Sequence, residues 1–471
     1  MPNLVDGLNL TAEMEAGISD GVTPLWLNAN RYGLSSLESK HGYLRTSAIR
    51  PISVDSLKDW RLGYGVDIAA AAGFTSTLIV QQAYAEVAWK KLRLTMGSKE
   101  QPVDLTEPEL TSGSLVLGSN ARPIPQVRFD IDYFPIPGTH GNWQWKMHGS
   151  YGRTTDANWQ KDFAAEGTRY TSNFLYHEKA LFWKFGKESN RRFPLTYEIS
   201  LQMATQFGGT SYNATGRGHI EPSTIHHSQN LEAFLRALIP SGSDETDGTE
   251  KNTMGNHLGA YKMRLTYHGD DWKVSARFER FFEDQSMLTV QYGIYDHLLG
   301  MDIKFPANPW LSTFTLEHLS TRDQSGAVYH DQSANIPDKM NGRDNYYNHN
   351  LYTGYQHWGQ SMGTPLLTSP IYNNGIIGFN NNRITAWHMG LCGNPTPWLH
   401  WRALATHTDN WGTYQHPYDG KQGQQYYMLE TLITPAKWHG TMLAVALGMD
   451  HGKVVGNNIG GQLTIRKTIK L

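Results

Sequence analysis

The chain has 471 residues, 41 Lys plus Arg against 43 Asp plus Glu, and a formal net charge of −2. That balance gives no electrostatic case for nucleic acid or for an anionic membrane surface. The lone Cys392 excludes an internal disulfide framework and any multi-cysteine metal site. Mean hydropathy is −0.50, and no apolar run nears the roughly 18 residues of a membrane-crossing helix. Abundant Tyr (24), Trp (15) and Gly (46) suit a membrane β-barrel, with rings at the two interfaces and glycine in turns. A large soluble sugar-binding β-protein shares that composition, so patterning must separate the two.

The chain begins MPNLVDGLNL, with neither the basic start nor the apolar stretch of a signal peptide. From Leu8 to Ile18 the even positions are Leu8, Leu10, Ala12, Met14, Ala16 and Ile18, and the odd ones are polar or Gly. This period-2 alternation has the span of a tilted membrane strand. Trp60 to Ala70 and Leu195 to Phe207 repeat it. So do Val127 to Tyr133, Trp143 to Tyr151, Tyr261 to Tyr267, Trp272 to Phe278, Leu288 to Ile294 and Leu299 to Phe305. Later runs are Leu399 to Ala405, Tyr427 to Ile433, Leu443 to Met449 and Leu463 to Leu471. Many are longer than the five or six residues usual in soluble sandwiches. Their polar faces carry Glu, Arg, Asp and Gln, as a wet lumen requires.

Weaker runs at Ile79 to Lys91, Leu92 to Lys99, Lys179 to Phe185, Trp310 to Ser320 and Ile384 to Leu391 bring the total to about eighteen strands. The last reaches the terminal residue, as in barrels whose final strand closes on the first, although Leu471 is not aromatic and Lys467 falls on the outward phase. The expected fold is all-β: an antiparallel outer-membrane barrel forming a single domain over residues 1–471. Its long loops lie at about 97–122, 208–256 and 321–382. Thr23 to Arg50 breaks the strand pattern, with helical or turn-like pieces around Leu34 to Glu38. Pro222 to Leu238 reads as an amphipathic helix with a Leu231, Phe234, Leu235 and Leu238 stripe. The acidic, Gly- and Thr-rich Ser241 to Asn256 reads as an exposed loop.

Asn341 to Asn373 holds six aromatic rings, two histidines and many Asn, Gln, Asp and Arg side chains, without helical or strand periodicity. Disordered segments are poor in aromatics, so this is an ordered loop. Flat rings beside planar amides suit sugars, and packing on its own rings is the competing reading. The candidate polysaccharide site is Tyr346, Tyr347, Tyr355 and Trp358 for stacking, with Asp344, Asn345, Asn348 and Gln360 for hydroxyls.

No metal or other cofactor is expected. His226 and His227 are adjacent without a third ligand at a standard spacing, and Asp344 with Asn345, Asn348 and Asn350 lacks the EF-hand spacing, leaving only an irregular Ca²⁺ site open. Lumen-phased Glu13, Glu15, Asp67, Glu198, Glu279 and Glu317 could form hydrolytic pairs, but pairing with Arg61, Arg264 and Arg277 in a solvated lumen is the simpler reading. There is no nucleophile elbow, P-loop or dinucleotide fingerprint, so no enzyme is expected.

TPLWLNANRYGLSSLES near the start and DNYYNHNLYTGYQHWGQSMGTPLL later resemble the capsule-assembly Wzi family of outer-membrane proteins. Asn345, Tyr346, Tyr347, Tyr355, Trp358, Gly359, Gly363 and Pro365 stand in that family's order. The resemblance implies an 18-stranded barrel occluded by extracellular loops, with helical material at the periplasmic end. It also implies a lectin role in attaching or organising capsular polysaccharide. The expectation is therefore a monomeric surface lectin in the outer membrane, its leader removed. Its partners would be capsular or exopolysaccharide and outer-membrane lipid or lipopolysaccharide, with no nucleic acid. The alternative is a diffusion channel for oligosaccharides or other small polar solutes.

Overall fold

A computed structural model describes residues 4–216, 219–239, 255–283, 295–306, 308–329 and 340–471. Eighteen antiparallel strands form one closed sheet in which each strand pairs with its neighbour along the chain. Closure comes from the last strand, Asn458–Lys470, pairing with the first, Asn9–Asp20, in register from Asn9↔Lys470 to Asp20↔Ile459. Lys467 does face outward, and its ammonium reaches back to the carbonyl of His439 at 2.7 Å in the adjoining turn. The charge thereby leaves the apolar zone while its stem stays in it.

The alternation decides which side of the wall each residue takes. Met14, Ile18, Leu44, Val66, Leu447 and Ile459 point outward and are exposed, whereas Glu13, Glu15, Asp67 and Gln462 point inward and are buried. Outer-membrane barrels show this dyad pattern because lipid faces one side and a polar interior the other. The turns on the side of the two chain ends are short, and exposed Trp60, Trp89, Trp143, Trp272, Trp310 and Trp398 ring that rim. An aromatic girdle of this kind belongs at a membrane interface. The long connections, residues 21–39, 99–125, 154–174, 208–255 and 321–383, all leave the opposite rim, called here the loop end.

Several expectations need correction. Lys40–Arg50 is a barrel strand, not a break in the pattern. Its outward positions Gly42, Leu44, Thr46 and Ala48 offer one large apolar side chain, which is why periodicity misses it. Leu288 to Ile294, counted as a strand, lies outside the described residues, as does nearly all of Ser241 to Asn256. The first helix is Leu25–Asn28 (α1), not a piece around Leu34 to Glu38. The second is Ala157–Phe163 (α2). The expected helix from Pro222 is confined to Leu231–Leu238 (α3), started by the Asn230 side chain accepting from the Ala233 amide at 2.9 Å. Its first residues, from Pro222 to His226, instead belong to the strand His219–His226 of a small sheet with Thr210–Gly216 and Tyr170–Ser172. All three helices belong to loop-end connections, so among the described residues the end carrying the termini has only the 3-10 turns Ile52–Asp55 and Ala436–Trp438.

Candidate functional site

Three loop-end connections fold back into the barrel. Residues Leu25 to Ala29, Leu110 to Ile124 and Tyr346 to Phe379 share one buried cluster with the inward wall residues Leu258, Ala260, Phe281, Leu298, Leu319, Ile384 and Leu404. Irregular backbone inside a barrel is tolerated only where its N–H and C=O groups find partners, and here inward wall side chains supply them. Glu317 accepts from the Ser112 amide at 2.7 Å and the Thr111 hydroxyl at 2.7 Å while Arg277 donates to it at 2.7 Å. Glu279 accepts from the Leu115 amide at 2.8 Å. His388 Nε2 donates to the Leu110 carbonyl at 2.7 Å, and the Asp450 carboxylate accepts from the Leu25 amide at 3.1 Å. The wall side chains hold a plug.

The two motifs that carry the family resemblance meet inside this plug. Gln360 donates to the Asn28 side chain at 3.2 Å, and Asn120, between them, donates to the Ser361 carbonyl at 3.1 Å and accepts from the Asn30 amide at 3.0 Å. Gln360 is buried and committed to protein partners. Tyr346, Tyr347 and Tyr355 are at most 1% exposed, which corrects their expected role as stacking platforms: no ring face is open. Tyr346 donates to Asp296 at 2.8 Å, Tyr355 donates to the Val116 carbonyl at 2.9 Å, and Tyr347 donates to the Leu115 carbonyl. Burial lifts all three phenols above their usual range, so each is a neutral donor. Gly363 packs on the Tyr347 hydroxyl so closely that a Cβ there would sit 2.0 Å from it.

Asp344, Asn345 and Asn348 are half-buried. Asp344 accepts from the Asn345 amide at 2.8 Å; Asn348 donates to Asn345 at 2.9 Å and exchanges two bonds with the Phe379 backbone. Their amides order the loop. His226 and His227 sit on Thr210 and Ser211, and the His227 ring stacks on Tyr352 at 4.7 Å.

Trp358 is different. It and Gly359 form the two-residue tip of a hairpin in which His357 pairs with Gln360. Both tip residues have positive φ, 55° and 77°. Such a tip favours Asn-Gly, and a bulky residue there is an outlier held by its surroundings. The Trp358 amide donates to Asp156 at 3.1 Å, and its indole N–H donates to the Thr155 hydroxyl at 3.2 Å. The Arg122 guanidinium lies 4.1 Å from the ring centroid. The Trp358 side chain is half-buried at the loop end, with its indole N–H contact on the exposed side. His357 beneath is fully buried: Nδ1 donates to the Arg122 carbonyl at 2.8 Å and Nε2 accepts from the Thr155 amide at 3.1 Å, the tautomer following from those partners. Burial also pulls the Arg122 guanidinium down to about 10, leaving it charged at neutral pH. Of the eight expected site residues, the structure brings Tyr347, Tyr355 and Gln360 together in the plug and leaves Trp358 as the one ring among them that is not fully buried. Arg122, Thr155 and Asp156 escaped sequence reading because they come from two other loops.

Below the plug, on the side of the chain ends, lies a cavity of about 320 Å³ lined by Glu13, Glu15, Arg31, Arg45, Glu430 and Arg466 among others. Arg45 pairs with Asp67 at 2.5 Å and with Glu13 at 3.5 Å, and Arg31 approaches Glu430 at 3.6 Å. Arg264 and Arg277 pair with Glu198 and Glu317 as expected. Arg61 does not join them: its guanidinium binds the Lys90 carbonyl.

No family model matches the chain, and no curated protein matches it. Among solved structures, it is similar to Wzi, an outer-membrane protein involved in group 1 capsule assembly in Escherichia coli and described as a carbohydrate-binding β-barrel. The identity is 13%, the TM-score 0.57, and the alignment covers 99% of this chain and 86% of that one. It is also similar to OccK9 (OpdG) of Pseudomonas aeruginosa, at 10% identity and TM-score 0.51 over 99% and 98% of the two chains. Likeness at this identity establishes the fold: the chain is an 18-stranded β-barrel of the outer-membrane type.

Proposed function

We propose that this protein is a non-enzymatic surface lectin of the outer membrane that binds or organises capsular or exopolysaccharide at the loop end. The observation that carries the reading is Trp358: a strained, half-exposed indole buttressed by Arg122 at the mouth of a plugged barrel. Sugars stack their C–H faces on such rings, and backbone strain persists where surrounding contacts over-determine it. Asp344, Asn345 and Asn348 of the same segment act by ordering the loop that carries Trp358. Tyr346, Tyr347, Tyr355 and Gln360 act through the plug.

The test is binding of the detergent-purified protein to capsular polysaccharide from its own host, read by Trp fluorescence, with an unrelated capsule as control. Selective, saturable binding is expected, and Trp358→Ala weakens it by about 1–3 kcal/mol without loss of heat-modifiable barrel migration. Unchanged affinity in the folded variant moves the site elsewhere. The charged cavity behind the plug favours the second reading, a channel for oligosaccharides or small polar solutes. Stable conductance in planar bilayers together with absent glycan binding establishes that reading instead.

A further inference from the structure

Helix α3 does not enter the barrel. The wall residues it touches are outward ones. The Tyr151 hydroxyl donates to the Phe234 carbonyl at 2.8 Å, the Thr205 hydroxyl donates to the Ala237 carbonyl at 3.5 Å, and the Lys179 ammonium donates to the Leu238 carbonyl. The register puts Tyr151 opposite His177 and His177 opposite Thr205, on the same side of the sheet as outward Leu181 and Leu201. Phe234 packs at 5.2 Å on both Tyr151 and Phe207. The helix therefore crosses the outside of the strands Trp143–Arg153, Leu175–Phe185 and Leu195–Phe207 near their loop-end rim.

At about 100° per residue, α3 has three faces. Ala233 and Ala237 are buried against the wall, their small side chains allowing close approach. Glu232 and Arg236 form an i,i+4 ion pair on one flank. Leu231, Leu235 and Leu238 face away from the wall and are 76%, 55% and 41% exposed, continued by Ile239 at 66%. So large an apolar face at one site is not left to water in a soluble context.

We propose that α3 is an interfacial membrane helix whose Leu231, Leu235, Leu238 and Ile239 face is embedded among the acyl chains of the outer leaflet. Two observations name lipid as the occupant. The helix lies on the same outer side of the wall as the apolar band, whose Leu181, Trp183 and Leu201 follow on the strands that α3 crosses, further from the loop-end rim. In addition, α3 covers Tyr151, His177, Lys179 and Thr205, polar groups that the alternation aims at lipid and that hydrocarbon cannot satisfy. The helix backbone takes the hydrogen bonds of Tyr151, Lys179 and Thr205 and presents leucines in their place, while His177 bonds the Ser150 carbonyl of the neighbouring strand. Its flank pair, Glu232 and Arg236, then points towards the headgroups, the arrangement of helices lying in the plane of a membrane interface.

The test places nitroxide labels singly at Leu231→Cys, Leu235→Cys, Leu238→Cys and Glu232→Cys in a Cys392→Ser background. The whole protein is reconstituted in phosphatidylethanolamine–phosphatidylglycerol vesicles. Leu463→Cys on the outward band and Lys161→Cys on α2 serve as lipid and water references. Power-saturation spectroscopy is expected to show the three leucine sites colliding with dissolved oxygen as Leu463→Cys does, and Glu232→Cys colliding with a water-soluble nickel chelate as Lys161→Cys does. Nickel access at all four helix sites overturns the proposal. Spin–spin broadening between labelled copies also overturns it, in favour of a contact between barrels. Because the three leucines are already exposed, heat-modifiable migration is expected to survive each replacement.

Discussion

The two halves of the lumen are built on the same strands by opposite means. Towards the chain ends the inward positions are Glu13, Glu15, Arg45, Arg402, Glu430 and Arg466, charges paired across a cavity. Towards the loop end they become Leu258, Ala260, Phe281, Leu298, Leu319, Ile384 and Ala386, packed against inserted loops. A closed barrel satisfies its own backbone, so its interior is free to be wet or dry. Where loops enter, wall carboxylates such as Glu279 and Glu317 change task and serve the plug's amides. The boundary between the halves is this ring of anchors.

Removing an anchor should break the comparison most strongly. Glu317→Ala leaves Arg277, Thr111 and Ser112 short of a buried partner and is expected to cost about 3–5 kcal/mol. Denaturant titration would measure this, and plug release would appear as conductance in planar bilayers. Undiminished stability would mean that the dry half does not depend on its anchors. Gly363→Val comes next: the added carbons meet the Tyr347 hydroxyl and the Leu115 carbonyl, an overpacking worth about 1–3 kcal/mol. Trp358→Asn sharpens the comparison, because Asn suits the positive φ at the hairpin tip. The fold is expected to gain about 1 kcal/mol while glycan affinity falls, and a variant losing both would show Trp358 to be structural.

In the wet half, Arg466→Gln is expected to cost less than about 1 kcal/mol. Its side chain is 42% exposed, and Glu13 keeps Tyr43 and Arg45 as partners. Thermal melts would detect a larger loss. Last, at the turn nearest the chain ends, hydrogen bonds from Arg50 and Lys58 hold the Asp55 carboxyl well below the usual carboxylate range. A depressed pKa contributes stability that is fully present above the unfolded value, near pH 4, and is lost as pH falls through the folded value. Asp55→Asn should therefore flatten the acid limb of the stability–pH curve and leave conductance unchanged.

Much of this could be read from residues alone. The period of 2 from Leu8 to Ile18 and along Trp60 to Ala70 fixes which side chains meet lipid, because successive residues in a strand point to opposite faces. Wall orientation and closure through the last strand follow from that local rule; the total of eighteen agrees only because counting Leu288 to Ile294 offset the omission of Lys40–Arg50. Lys40–Arg50 was missed where its outward face is Gly and Thr, so the rule lost its hydrophobic signal. Pro222 to His226 looked helical because pairing with Thr210–Gly216 is not a local property. The tyrosines were legible as members of an ordered loop, but not the side to which they turned. Tyr347 and Tyr355 are buried because a loop more than two hundred residues away closes over them, and Tyr346 because it packs on Phe281 and bonds Asp296. The same long-range packing put Arg122 under Trp358 and laid α3 on the outer wall. Sequence periodicity decides the barrel because its alternation is local; only tertiary packing decides what fills the barrel and what lies against it, because those contacts join segments that no spacing relates.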